Sequence, residues 1–555
     1  MVRVDGDRVL VETNTLIACF AGGVLIELRR RADDRVLLAA PAGGSPSLEL
    51  VFAGQEVVSL TGELDDRVEC LPLNEHSAEI RFAAWNGDGV LLIAEDPATG
   101  DLVVEPSGSS SRPGLRACRW SLGGIAPGLE LVAPFFQGVR LPLEDPLIGN
   151  THWQWPHQWE AGLAILQDPD GGLAVHCEDT RYRYKALQVG RSGHPRSLGL
   201  ETEVPGPLHQ NRSAGGLAWR LSVHRGDWQV PAGRYRSWLE QAWRPRPRPA
   251  WLAEIGFAVS WCPTDPAILE ALAARIPPTR VLLHIPNWRQ DPYDENYPTY
   301  TASAEGRTFV ARAQGLGFRT MPHFNSIDMD PTHPVYPHLR DFEYREVESR
   351  RVQGWTWVDG RVRPVPESNA ARLRHRDRKT MVKVHPGLAL WRSILCEQVR
   401  QATEELSLDL AFLDVTLCTW NLDNCLVEGV NPTEGMQLLI ARVADLGAGL
   451  AIGGEGRNET TARDQSFSQV HLFRSWHASA EGLERTGACA LNEFLFGRWC
   501  RSFGYSGLGG RTPEEEARME VHSALGAIPT VTIGSAEEIR HPNPALAAML
   551  SRAAG

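Results

Sequence analysis

Residues 410–419 read Leu-Ala-Phe-Leu-Asp-Val-Thr-Leu-Cys-Thr, and residues 449–457 read Gly-Leu-Ala-Ile-Gly-Gly-Glu-Gly-Arg. Each is an apolar run of strand-forming residues with one carboxylate near its end, Asp414 in the first and Glu455 in the second. Between them, residues 432–446 repeat their apolar positions at helical spacing. Strand, helix, strand, with an acid closing each strand, is the pattern of a (β/α)8 barrel, whose polar chemistry gathers at the C-terminal ends of the strands.

Outward from this unit the same rhythm continues. Strands are expected at 254–262, 280–288 and 319–325 before it, and at 470–476, 488–496 and 528–533 after it, with the two central strands at 410–417 and 449–455. Helical patterns fall at 266–275, 304–316, 387–406 and 544–553. Strands alternating with helices over about 300 residues suit an eight-fold barrel of parallel strands. A doubly wound sheet is the alternative, but no Gly-x-Gly-x-x-Gly follows the first strand to support a dinucleotide fold. Residues 326–386 form a long excursion after the third strand, on the face where a barrel keeps its site. Within it Arg372, Arg374, Arg376, Arg378, Lys379 and Lys383 make a basic stretch, read as a solvated loop or as a contact for an anionic sugar substituent.

Upstream the rhythm differs. Short strand-like stretches at 8–13, 24–28, 47–52, 78–82 and 90–93 are punctuated by Gly, Asp, Asn and Pro, and Asn86-Gly87-Asp88-Gly89 holds two hairpin-turn signals. This is the pattern of a β-sandwich. Residues 151–160 pack three Trp and two His into ten positions. They read equally as a sugar-stacking loop or as an inter-domain packing knot. A helical piece at 235–243 precedes Arg-Pro-Arg-Pro-Arg-Pro-Ala at 244–250, an extended and semi-rigid linker. The expected architecture is therefore multidomain: an N-terminal β-sandwich over 1–243, a Pro/Arg linker over 244–250, and a C-terminal (β/α)8 TIM barrel over 251–555.

Composition narrows the function classes. A formal net charge of −12 argues against a general nucleic-acid binder and against docking on an anionic membrane. No run approaches the roughly 18 apolar residues of a membrane span, and the first residues lack the basic start and apolar core of a signal peptide. Ten cysteines are scattered without a C-x-x-C pair. They read as buried, reduced thiols, which suits a cytoplasmic location. A homo-oligomer is left open. Eighteen tryptophans are compatible with a carbohydrate cleft, although most Trp rings serve the core.

Two carboxyl groups flanking one bond are what glycosidic cleavage needs: one protonates the leaving oxygen while the other attacks the anomeric carbon or activates water. Neighbouring strands lie about 4.8 Å apart, so acids at adjacent strand ends can reach the roughly 5–5.5 Å spacing of a retaining mechanism. Asp414, short and on a rigid strand, suits the nucleophile. Glu455, among Gly453, Gly454 and Gly456, suits a proton donor with a raised pKa. Other strand ends offer substrate-binding candidates: His284 and Trp288 after the second, His323 and Asn325 after the third, Trp420 after the fourth, Arg457 after the fifth, and Asn492 and Glu493 in the seventh. Trp288, Tyr293 and Trp420 are candidate stacking platforms.

A β-domain followed by a barrel with Leu-Asp-Val-Thr at 413–416 and Gly-Gly-Glu-Gly at 453–456 resembles glycoside hydrolases of the α-amylase-like and endo-α-N-acetylgalactosaminidase-like families. It also resembles bacterial glycosidase-like proteins of this layout. In those families an Asp after strand four is the nucleophile and a Glu after strand five the acid/base. The resemblance implies those roles for Asp414 and Glu455 and an α-glycosidic substrate bond; with the adjacent-strand spacing the expectation is a retaining double displacement, and no metal or cofactor is expected. Two departures stand out. Phe412 occupies the place of the α-amylase-like Arg, and no C-terminal β-domain is evident. Two other readings remain: a non-catalytic carbohydrate-binding protein, and a metal-dependent hydrolase on the same barrel, which would want a His-x-His that the first strand lacks.

Overall fold

A computed structural model describes the chain except for residues 41–46, 62–66, 192, 375–378, 448, 472–486 and 506, and the side chains at 369, 373 and 374. It divides into two compact units, Met1–Trp243 and Arg244–Gly555.

The first unit is built from antiparallel sheets of five, ten and six strands. Strands with one wet face alternate, as in Leu16–Ala21 and Leu102–Ser109. Leu115–Leu122, central in the six-stranded sheet, is buried throughout. The two larger sheets pack face to face through glycines. A Cβ on Gly89 would sit 2.4 Å from Leu48 Cδ2, and one on Gly108 would sit 2.5 Å from Leu50 Cδ2. The Trp-rich stretch belongs to this packing. Trp153 stacks on Phe135 at 4.1 Å between ring centres, the Lys185 ammonium lies 3.5 Å over Trp155, and Trp159 stacks on Trp219 and donates Nε1–H to the Leu163 carbonyl. All three rings are buried, so none is a stacking platform for a sugar.

The second unit is the barrel. Its strands are β1 (Phe257–Val259), β2 (Val281–Ile285), β3 (Arg319–Asn325), β4 (Leu410–Asp414), β5 (Ala451–Glu455), β6 (Phe467–Val470), β7 (Arg501–Gly504) and β8 (Thr530–Val531). They run parallel in this order, and β8 returns to pair with β1. A parallel bridge between Phe503 and Ile528 closes the ring. Ala258, Leu282, Met321, Phe412, Ala451, Phe467, Phe503 and Ile528 fill the interior from every strand or its approach.

The helices follow the capping rules. α1 (Pro266–Ala273) starts on Asp265 with Pro at its first position, and α2 (Ala304–Leu316) starts on Ser303 and ends at Gly317 in the left-handed conformation. α3 (Ala389–Leu406) precedes β4, and α4 (Pro432–Ala444), capped by Asn431, links β4 to β5. After β3 the chain leaves the barrel to form a four-stranded antiparallel sheet from Asp328–Met329, Gly354–Val358, Arg361–Pro364 and Thr380–Lys383.

Two expected elements differ. Residues 488–496 do not form the seventh strand: Leu491–Phe496 is a short helix, α5, and β7 lies beyond it. Leu491, Leu495 and Phe496 are buried at positions one, five and six of that helix, a helical stripe that also passes for a strand in so short a run. The sixth strand lies at Phe467–Val470, and 472–476 of the expected 470–476 fall outside the described residues. The basic stretch is only partly a solvated loop. Arg372 is buried against Glu343, and Lys383 is buried against Asp328, while residues 376 and 378 lie outside the described residues.

Candidate active site

Asp414 ends β4 and Glu455 ends β5. These strands pair up to Leu413 and Gly454, so the two acids take the next positions on neighbouring strands, about 4.8 Å apart at the backbone. Both are buried, with 8% and 6% of their surface exposed. The residue after Asp414, Val415, takes a left-handed φ of 62°. A β-branched residue is strained there, and the turn aims its N–H at Glu455 Oε2, 3.1 Å away. The Thr416 hydroxyl ties the two strand ends together, donating to the Glu455 carbonyl at 2.7 Å and accepting the Glu455 N–H at 2.9 Å.

Each carboxyl has its own partners. Asp414 Oδ2 lies 3.5 Å from the Tyr293 hydroxyl and 3.5 Å from His323 Nε2. Ser326 donates its hydroxyl to the Asp414 carbonyl at 2.6 Å, which holds the end of β4 against β3. Glu455 Oε1 makes a 2.5 Å contact with Nε2 of His471, the residue after β6, and the His471 ring lies 4.2 Å from that of Tyr505, just past β7, at a tilt of 33°.

Burial, then the facing charge of Glu455, then Asp328 and Asp294 push the Asp414 carboxyl well above the usual range. Burial also raises Glu455. The adjacent His471, with Lys383 and the Val415 N–H behind it, outweighs that and leaves Glu455 below its ordinary value. This reverses the expected polarity, in which Glu455 was the acid with the raised pKa. The cause is His471, which the expected sixth strand would have placed inside the sheet. The charge on Glu455 is thus one cause of the Asp414 shift, and the two titrations are linked.

The surrounding groups are arranged by charge. Lys383, at the end of the inserted sheet, donates to Asp328 Oδ1 at 3.0 Å, and Asn325 Nδ2 donates to the other oxygen at 2.8 Å. Burial raises Asp328 to about 6 even beside this lysine. Asp294, buried next to Tyr293, accepts the Trp357 indole N–H at 2.7 Å. The aromatic rings of Trp261, Tyr293, Trp355, Trp357, Trp420 and Tyr505 are half-buried. A partly exposed aromatic face is the kind of surface that stacks on a sugar ring.

The sequence candidates separate into two groups. His284, His323 and Asn325 lie on β2 and β3 beside Asp414 or one contact away from it, and Trp420 is half-buried with its Nε1–H on Gln353 Oε1 at 2.9 Å. Trp288 is buried and gives its N–H to the His323 carbonyl at 2.9 Å, so it is a core residue that positions β3 and no platform for a ligand. Arg457 is buried and binds Glu493 and the Cys500 carbonyl, which engages both Arg457 and Glu493 in holding the β5–β7 side of the barrel. Trp261, Asp294, Asp328, His471 and Tyr505 were not anticipated. The last two sit just past strands misplaced in the sequence reading. Trp261 falls inside the expected first strand, 254–262, but that strand ends at Val259 and leaves it in a turn; Asp294 sits in a loop with no periodicity to mark it.

A family model described as a domain of unknown function, DUF6259, matches residues 217–429. No curated protein sequence matches the chain. Among solved structures, the ligand-free α-N-acetylgalactosaminidase NagBb from Bifidobacterium bifidum aligns over 100% of this chain and 93% of its own, with 15% identity and a TM-score of 0.65. The NagBb complex with GalNAc aligns over the same shares with 13% identity and a TM-score of 0.62. The GH36 α-galactosidase AgaA from Geobacillus stearothermophilus aligns over 99% of this chain and 85% of its own, with 9% identity and a TM-score of 0.50. These likenesses establish the fold: a multidomain β-sandwich and TIM-barrel architecture.

Proposed function

We propose that the protein is a glycoside hydrolase that cleaves an α-glycosidic bond with retention, Asp414 acting as nucleophile and Glu455 as acid/base. The observation that carries this reading is the pair of buried carboxyls on adjacent strand ends, bridged by the Val415 N–H and each held by its own partners. The neighbours of like fold are enzymes for α-linked GalNAc and galactose, which makes a galactose-type sugar the first substrate class to test.

In the first step an Asp414 oxygen attacks the anomeric carbon, Glu455 gives its proton to the departing oxygen, and a glycosyl ester forms. In the second step Glu455 takes a proton from water, the hydroxide attacks the same carbon, and the ester bond breaks to return the Asp414 carboxylate. Glu455 must therefore start protonated and Asp414 ionised. The His471–Glu455 contact supplies the means. His471 Nε2 is placed to pass a proton to Glu455 Oε1, and a proton taken up there neutralises Glu455. The loss of that negative charge removes the strongest electrostatic influence raising Asp414. One proton transfer thus prepares both groups.

The test is hydrolysis of aryl α-GalNAc and α-galactosides by wild type, Asp414→Asn and Glu455→Gln. Loss of turnover in both variants is expected. Added azide should rescue Asp414→Gly as the β-glycosyl azide, because azide replaces the nucleophile on the opposite face. Unchanged activity in both substituted enzymes, or rescue as the α-azide, refutes the assigned roles.

A further inference from the structure

We propose that His284 and His323 form a directional hydrogen-bond chain, anchored on the Trp261 backbone amide, that presents the His323 Nε2–H to Asp414 Oδ2 and leaves Oδ1 to attack. The proposal rests on the reading of Asp414 as the nucleophile. The chain begins at the turn after β1, where Trp261 has a left-handed φ of 57°. Its N–H points at His284 Nδ1, 3.3 Å away. An amide N–H can only donate, so Nδ1 accepts, and the neutral ring carries its proton on Nε2. His284 Nε2 lies 3.2 Å from His323 Nδ1. His323 Nδ1 therefore accepts in turn, which places the second proton on His323 Nε2. That nitrogen is buried and makes no hydrogen bond among the described residues as the site stands; Asp414 Oδ2 lies 3.5 Å away, within reach once the site tightens.

The order of donors is thus set by a group that cannot titrate and cannot flip. Both rings are enclosed by apolar and aromatic neighbours: Phe412 lies 4.4 Å from His284 and 5.4 Å from His323 between ring centres, and Trp261 flanks both. Burial holds both imidazoles neutral: His284 is lowered to about 3 and His323 falls well below its ordinary value. The Tyr293 hydroxyl approaches the same Oδ2. Two neutral donors on one oxygen orient the carboxylate without adding a full positive charge, so Oδ1 keeps its nucleophilicity. Contacts of 3.5 Å are long, as catalytic hydrogen bonds commonly are before substrate draws a site together. His323 and His284 are positioning residues in this scheme, because both are buried and act through Asp414.

The decisive measurement is the tautomeric state of the two rings in the wild-type protein labelled with 15N-histidine. Both should be neutral with the proton on Nε2 from pH 6 to 8. A proton on Nδ1 of either ring, or a charged ring, overturns the proposal. This readout needs no substrate, so it fails separately from the glycosidase reading, which falls if wild type turns over no glycoside. Kinetics gives the second arm. His323→Phe, which suits the aromatic surroundings, should lower kcat about 100-fold with KM little changed. His284→Phe alone should cost about tenfold, and nothing more in the His323→Phe background, because it acts only through His323. Additive losses in the double variant would show two independent packing roles and overturn the chain.

Discussion

Replacing Lys383 with Met tests how the inserted sheet supports the site. The change keeps most of the side-chain volume and removes the ammonium. It breaks the 3.0 Å bond to Asp328 Oδ1 and the cation contact 4.2 Å above the Trp355 ring. Asp328 is completely buried and, among the described residues, would keep only Asn325 as a side-chain donor. Removing one partner of a buried ion pair costs about 3–5 kcal/mol, because the other charge is left uncompensated. That cost depends on pH in a defined direction. Burial raises the folded pKa of Asp328 to about 6, above the unfolded value near 3.8. An acid with a raised folded pKa contributes stability that is present below its unfolded pKa and lost as pH rises through its folded pKa. In wild type this loss falls between about pH 4 and 6 and amounts to about 3 kcal/mol. Without Lys383, which lowers that pKa, the loss extends to higher pH.

At pH 5 Asp328 is largely neutral in both proteins, and the variant should be as stable as wild type or more so, since it no longer buries an ammonium beside an uncharged acid. At pH 8 the full penalty of about 3–5 kcal/mol should appear. Unfolding entropy near 2.1 cal/mol/K per residue over the roughly 300 residues of the second unit gives about 0.6 kcal/mol per degree, so the Tm of that unit should drop by about 5–8 °C. Differential scanning calorimetry at the two pH values reads this directly. An equal depression at pH 5 and pH 8 would mean that packing alone sets the loss, and the ion-pair reasoning would be wrong.

His471→Asn should raise the Glu455 pKa, since the histidine is the main influence holding it down; the basic limb of kcat/KM, which reports loss of the acid's proton, moves to higher pH, and a shift of the acid limb alone would contradict the assignment. Glu455→Gln should slow aryl glycosides with poor leaving groups by orders of magnitude more than those with activated ones such as dinitrophenol, because only the former need a proton; a uniform loss across leaving groups counts against the acid role. Gly89→Val should lower the Tm of the first unit by several degrees through overpacking of about 1–3 kcal/mol against Leu48 and Leu60, and unchanged melting would show that the sheets separate more easily than their contacts indicate.

The parts of the fold that were readable in advance are those where local pattern and tertiary packing agree. β3 was placed at its observed bounds because the helix before it is stopped by Gly317, which fixes where the next strand begins. β4 and β5 were found because each is a short run buried on both faces. The ends were less legible. The fourth strand was extended to 417, but the chain turns at Val415, and no propensity scale puts a β-branched residue at φ 62°. The later strands drifted because 488–496 is a short, mostly apolar run of strand-like length, while its buried positions line a helix. The site followed the same division. Asp414 and Glu455 stand at strand ends, where periodicity points. His471 and Tyr505 depended on strand bounds that were misplaced. Trp261 and Asp294 come together only through loop geometry.

Two strained turns of the barrel rim share one physical purpose. Trp261 follows β1 and Val415 follows β4, and neither is a residue that favours a left-handed backbone. Such conformations cost of order 1–3 kcal/mol each and persist where the surrounding structure overrides them. In both places the turn directs an amide N–H inward, from Trp261 to His284 Nδ1 and from Val415 to Glu455 Oε2. A side chain at either position could supply a donor too, but it would bring rotamer freedom and a titratable or exchangeable group into a site that already holds four buried acids, Asp294, Asp328, Asp414 and Glu455. A backbone amide brings neither. The first turn sets the donor order on the way to Asp414, and the second steadies the oxygen of Glu455 opposite His471. Backbone strain at the strand ends thus fixes proton positions around two carboxyls whose charges depend on each other.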